Sequence, residues 1–221
     1  MSKKVVIEDF KVTLGDEILE NLGKQKIDKE DSGTLIDEAI NNSIQKAQDL
    51  KKDLIINIEF EYNQDSRRLY GLKISDRSGG IALEDIYECL TPAKKLKNRR
   101  GLNEHNMGIN NIIRFFCRNG GTYSMKSFHP AGGWEIKDLI STETPIRIYD
   151  VDNPGYYGLE YEFKNIENEL SELLGEFSTR NTAKYNSIWL MRCAKYRYKY
   201  DWFKENGLKF KINFKSLVII Y

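Results

Sequence analysis

Glu38-Ala39-Ile40-Asn41-Asn42-Ser43-Ile44-Gln45-Lys46-Ala47 decides how the rest of the chain reads. Ahead of it, Glu30-Asp31-Ser32 supplies helix-start residues. Leu35, Ile36, Ala39, Ile40, Ser43, Ile44 and Ala47 recur at helical spacing, which predicts an amphipathic helix of roughly four turns. Glu38 and Asn42 are four apart, so they share one face, stacked one turn above the other. At about 100° per residue, the pair flanks the apolar stripe of Leu35, Ala39 and Ser43. A carboxylate and an amide bordering a buried stripe need polar partners. Most Glu/Asn pairs so placed are a solvated helix edge, so the pair alone does not make a site.

Downstream, Leu54-Ile55-Ile56-Asn57-Ile58-Glu59-Phe60-Glu61-Tyr62 alternates apolar and polar residues and predicts a strand. Leu69 to Ile74 is its expected partner through the turn Asn63-Gln64-Asp65-Ser66. The second strand runs into Asp76-Arg77-Ser78-Gly79-Gly80-Ile81, where a carboxylate at a strand end precedes a small-residue turn. Such a turn can aim the carboxylate into a cleft and leave the backbone open to a ligand, although most turns of this kind merely connect a strand to a helix. A short helix is expected over Leu83 to Leu90. Residues 91–108 lack apolar periodicity and carry Lys94, Lys95, Lys97, Arg99 and Arg100, which reads as a basic loop. That loop passes through Gly101-Leu102-Asn103-Glu104-His105-Asn106-Met107-Gly108 into a buried helix over 109–116. Loops of this kind can hold a phosphate by backbone amides and a helix N-terminus.

Further strands are expected around 122–128, 134–139, 146–149, 157–163 and 208–220, with residues 167–205 mostly helical. Near the start, Val5-Val6-Ile7 followed by Phe10, Val12 and Leu14 reads as a strand or extended arm. The mixture predicts an α+β layer fold.

Composition narrows the function classes. With 221 residues, 40% hydrophobic and 30% charged, the chain supports one core, and neither disorder nor a membrane-embedded chain describes the whole. Lys+Arg 34 against Asp+Glu 33 gives a net charge of +1, so a nucleic-acid partner is unsupported by net charge and would need a local patch. Cys89, Cys117 and Cys193 form neither a paired metal spacing nor a disulfide framework, and residues 1–30 show no signal-peptide core. The expected setting is a reducing cytoplasm. His105 and His129, the two histidines, argue against a histidine-rich metal site or a histidine-centred triad.

Taken in order and spacing, the three segments around Glu38, Asp76 and Gly108 resemble the ATP-binding domain of the GHKL superfamily. That group includes DNA gyrase B, the ninety-kilodalton heat-shock chaperones, histidine kinases, MutL-type repair proteins and microrchidia ATPases, the last two being nearest in flavour. Glu38 and Asn42 resemble the functional positions of its helical box, Asp76 to Gly80 its Asp-x-Gly-x-Gly box, and Asn103 to Gly108 its lid box. Gly158-Leu159-Glu160-Tyr161-Glu162-Phe163 is similar to its late Gly-Thr-x-Ile strand. Coverage is roughly residues 30–165.

The resemblance implies a Bergerat-type fold, a two-layer sandwich of a mixed, largely antiparallel sheet covered by helices. It implies ATP with Mg²⁺. Glu38 becomes the general base, Asn42 the Mg²⁺ ligand, and Asp76 the acceptor for the adenine amine. Gly80 and Ile81 lie by the base, Asn106 and Gly108 at the phosphates, and Leu159 beside Asp76. The chain departs from the pattern at Ser78, Asn103 and Asn106, where glycines are expected, and at Leu159, where threonine is usual. These departures weigh toward nucleotide binding with slow hydrolysis, weak in isolation. The alternatives are a degenerate, non-catalytic interaction protein or a nucleic-acid-associated component of a multi-protein ATPase. The basic and aromatic alternation of Lys195-Tyr196-Arg197-Tyr198-Lys199-Tyr200-Asp201-Trp202 is the local feature favouring the last, although snorkelling side chains over a core account for most such stretches.

Residues 1–165 therefore read as the ATP-binding domain and 166–221 as a helical extension with the start of a second, transducer-like domain. A protein partner or C-terminal domain outside this chain is expected, with homodimerisation a further expectation and no membrane partner.

Overall fold

Alternation along β2 (Leu54–Asn63) fixes the two faces of the structure. Leu54, Ile56, Ile58, Phe60 and Tyr62 are buried, and the residues between them are half-buried. A strand turns successive side chains to opposite faces, so the apolar set meets α1 (Ser32–Leu50), whose Ala39, Ile40, Ile44 and Ala47 join the same core. The helix ends in a left-handed residue, Lys51 at φ 49°, with Lys52 N–H donating to Ala47 O and Lys51 N–H to Gln48 O. That pair of bonds is a Schellman motif, which satisfies carbonyls the helix would otherwise leave unpaired.

The computed structural model describes residues 5–10, 32–63, 69–90, 120–139, 145–165 and 197–219. In it, β3 (Leu69–Asp76) pairs antiparallel with β2, setting Ile56 opposite Asp76 and Ile58 opposite Ile74. The remaining strands are β1 (Val5–Phe10), β4 (Thr122–His129), β5 (Gly132–Leu139), β6 (Ile146–Val151), β7 (Gly158–Lys164) and β8 (Phe210–Ile219). They form one eight-stranded sheet in the order β1-β6-β5-β4-β7-β3-β2-β8, antiparallel throughout except for the parallel pair β2–β8.

One face carries the core, with Leu72, Ile74, Tyr123, Met125, Trp134, Ile136, Tyr161 and Phe163 all buried. The opposite face is polar. Its cross-strand rows read Lys215–Glu59–Lys73–Glu162 and Asn213–Asn57–Ser75–Glu160–Lys126, the second running on to Glu135, which is buried. Opposite charges and hydrogen-bonding amides in direct register are what stabilise a solvated sheet face. Asn213 Nδ2 donates to Asn57 Oδ1 at 2.8 Å, and Lys73 Nζ lies 3.6 Å from Glu160 Oε2.

The helix-covered α+β sandwich expected from the resemblance is therefore corrected to a strand-rich mixed sheet, with about 50% strand against 25% helix among the described residues. Besides α1, the described helices are short: α2 (Ile86–Leu90), entered through a 3₁₀ turn at Leu83–Asp85, and α3 (Arg197–Glu205). Among the described residues α1 is the one long helix with an apolar stripe on the core, and the eight strands take most of the remaining residues. The expected helices over 109–116 and 167–196 lie outside the described residues.

The stretch read as the opening of a second domain contributes β8, which runs beside β2 for ten residues. Lys209 N–H donates to Asp53 Oδ1 and Leu54 N–H to Lys209 O at its start. Phe203 of α3 is fully buried and stacks on Phe210, with Trp202 edge-on to it. Arg197 to Trp202 thus lie on a helix, where a period-two alternation of basic and aromatic residues is spread around the axis and does not line one face. Among the described residues no helix is long and apolar enough to cross a membrane.

Candidate functional site around Asp76

Asp76 ends β3 with its side chain on the core face, 2% exposed. Four protein donors reach its carboxylate. Ser43 Oγ donates to Oδ2 at 2.5 Å; Ser78 N–H, Ser78 Oγ and Leu159 N–H donate to Oδ1 at 2.8, 2.7 and 3.2 Å. They come from α1, from the turn after β3, and from β7, so the carboxylate joins three separate elements. Burial pushes the Asp76 carboxyl above the usual aspartate range, while the bonds from Ser43, Ser78 and Leu159 pull it back only in part.

Two departures from the family pattern acquire a role here. Ser78, standing at a glycine position, supplies two of the four bonds. Leu159, standing at the threonine position, reaches Asp76 through its backbone amide. Gly158 makes that approach feasible, because a Cβ there would collide with Asp76 O.

Gly79 and Gly80 take positive φ, 115° and 70°, which their turn requires. Gly80 is pressed against β4, since a Cβ at this position would run into the backbone carbonyl of Phe128. Its close approach is thus to the protein's own strand, where the resemblance implied a base or ribose. Ile81 is likewise occupied: its N–H donates to Ser127 Oγ at 2.7 Å, and its carbonyl accepts from Ser127 Oγ and Trp134 Nε1 at 2.7 and 2.9 Å. Its half-buried side chain packs on the core. Ile81 therefore anchors the turn.

Asn42 precedes Ser43 on α1 and is half-buried. Glu38 sits one turn earlier on the α1 backbone, and its side chain lies outside the described residues. Asn106 and Gly108, with Asn103, His105 and the basic loop 91–108, also lie outside them. Among the described residues no group of three or more His, Cys, Asp or Glu side chains is placed to hold a metal ion.

On the polar face, Arg77 lies 5.1 Å from the centroid of the Tyr156 ring, and Tyr156 Oη donates to Glu160 Oε1 at 2.5 Å. Burial, with Glu160 as the second cause, pushes the Tyr156 phenol up, so it stays protonated. Asp76 and Arg77 thus send consecutive side chains to opposite faces of the sheet.

Ser43, Ser127 and the Leu159 amide were not singled out from the sequence. The readable signal for Ser43 is a hydroxyl inside an apolar stripe, which needs a buried partner.

No protein-family model matches the chain. No curated protein matches it either. Among solved structures, the N-terminal domain of a DNA repair protein is similar at 15% identity with a TM-score of 0.46. The match covers 70% of this chain and 41% of that one, so this chain spans less than half its length. A likeness this distant carries neither fold nor function across.

Proposed function

We propose that the chain is an ATP-binding module with slow, Mg²⁺-dependent hydrolysis, related to the GHKL ATPases, in which nucleotide state switches contacts with a protein partner. The observation that supports this most is the buried Asp76 carboxylate, held by Ser78 and by Ser43, which follows Asn42 on α1. A carboxylate kept out of water and oriented by fixed donors suits recognition of an exocyclic amine, where a lost partner costs about 1–3 kcal/mol. Asn42 offers a neutral oxygen to Mg²⁺, which keeps several waters and bridges phosphates. Glu38 acts as the general base in this reading, and Asn106 and Gly108 hold the phosphates.

The test is thermal stabilisation by ATP and Mg²⁺ that Asp76→Asn abolishes. Glu38→Ala should keep binding and lose turnover, and undiminished turnover removes Glu38 from that role.

One observation favours a second reading, a non-catalytic interaction protein. Four protein donors already surround Asp76, and the main chain of Ile81 is committed to Ser127 and Trp134, as a purely structural turn would be. Calorimetry with a non-hydrolysable ATP analogue separates the two, since absence of binding heat favours this one.

A further inference from the structure

We infer that the outer edge of β8 docks an extended segment of a partner protein, which joins the sheet as a further strand. The segment carries two carboxylates four residues apart, matched to Lys211 and Lys215, with apolar residues between them. This holds whether or not the chain binds a nucleotide, since no group of the Asp76 site takes part.

Among the described residues β8 ends the sheet, and its parallel pairing with β2 runs in continuous register from Phe210 to Ile219. Leu54 N–H donates to Lys209 O, and Leu54 stands opposite Phe210. Backbone groups alternate sides along a strand, so those of Lys211, Asn213 and Lys215 turn toward β2. Those of Phe210, Ile212 and Phe214 turn away from it. They form the N–H and C=O row that an edge strand offers an incoming chain.

The side chains set what can pair there. Lys211 and Lys215 are both exposed and share the polar face. Along the row through Lys215 the sign alternates, Lys215–Glu59–Lys73–Glu162, so the next position outward calls for an acid. Lys211 stands opposite Ile55, so its direct neighbour on β2 brings no carboxylate. On the other face Phe210 and Ile212 are half-buried against the core, with Phe210 stacked on Phe203. Apolar residues of an incoming strand extend that core. The lysines also weigh against a second copy: two antiparallel β8 edges centred on Asn213 would oppose Lys211 of each copy to Lys215 of the other.

Fluorescence anisotropy at low salt, with the full chain and a labelled peptide Ser-Glu-Val-Thr-Val-Glu-Ser, tests this. A control peptide carries lysine in place of both glutamates. The acidic peptide should bind about tenfold tighter than the control, and more weakly as salt rises. Lys211→Glu combined with Lys215→Glu should invert that preference. Hydrogen exchange with the acidic peptide bound should slow at the Ile212 and Phe214 amides and change little at Lys211 and Asn213. No binding of the acidic peptide at about 1 mM overturns the docking site. Equal binding of both peptides, or protection that misses Ile212 and Phe214, overturns it as well. Dimerisation of the chain in sedimentation that the acidic peptide does not compete makes the occupant a second copy and overturns the foreign strand. Should the double variant not fold, the wild-type comparison of the two peptides decides.

Discussion

The amide of Leu159 donates to Asp76 Oδ1 from the neighbouring strand β7, so the contact at this position belongs to the backbone and not to the side chain. The side chain of Leu159 is buried in the same core. Leu159→Ala should therefore lower stability by about 2–4 kcal/mol while nucleotide-induced stabilisation persists. Urea unfolding, with and without ATP, measures both, and loss of the ATP effect in a folded variant would tie recognition to the leucine itself.

Ser78→Gly restores the glycine that the family pattern expects and removes the Ser78 Oγ bond to Asp76 while keeping the amide bond. The lost bond and the added backbone freedom together should cost about 1–2 kcal/mol. A variant as stable as wild type in chemical denaturation would show that the hydroxyl contributes little.

The raised carboxyl of Asp76 has a signed effect on stability. The folded state keeps this proton to a higher pH than the unfolded chain does. Between the ordinary aspartate value of 3.8 and the raised one, the folded state thus holds more protons, and stability falls as pH rises through that window. Above it the contribution is flat. Asp76→Asn should remove this slope, seen as a wild-type-minus-variant stability difference that changes across the acidic range and then levels. A difference independent of pH would mean that Asp76 titrates alike in both states.

Two glycines flanking Tyr156 should respond differently to alanine. At Gly158 the new methyl group collides with Asp76 O and lies 3.1 Å from Arg77 Cα, which should cost about 3 kcal/mol. Gly155→Ala meets open space and bears only the strain of φ 91°, about 1 kcal/mol. Equal losses of melting temperature would contradict the close packing of β7 on the end of β3.

The strands were legible in the sequence because their alternation is local: Leu54 to Tyr62 and Leu69 to Ile74 announce a hairpin, and the structure pairs them. Asp76 stood out because it ends a strand before small residues. Ser43 did not, since a serine in an apolar stripe resembles small core filler and its partner is 33 residues away. The Leu159 amide carries no side-chain signature at all. The balance of strand to helix was less legible, because apolar periodicity shows which face of an element is buried and not how many helices share the core with α1.

The parallel pairing of β8 with β2 also orders events in time. Asn57 and Asn213 touch across 156 residues of chain, whereas β2 and β3 meet over a short turn. Closing a loop of that size is slow relative to a hairpin, so the hairpin should form early and β8 should dock late. During synthesis β2 remains a bare edge until residues 210–219 emerge, and an unpaired edge of this length templates aggregation. Every nascent copy therefore exposes the β2 edge until β8 pairs with it, after which β8 carries that edge of the sheet.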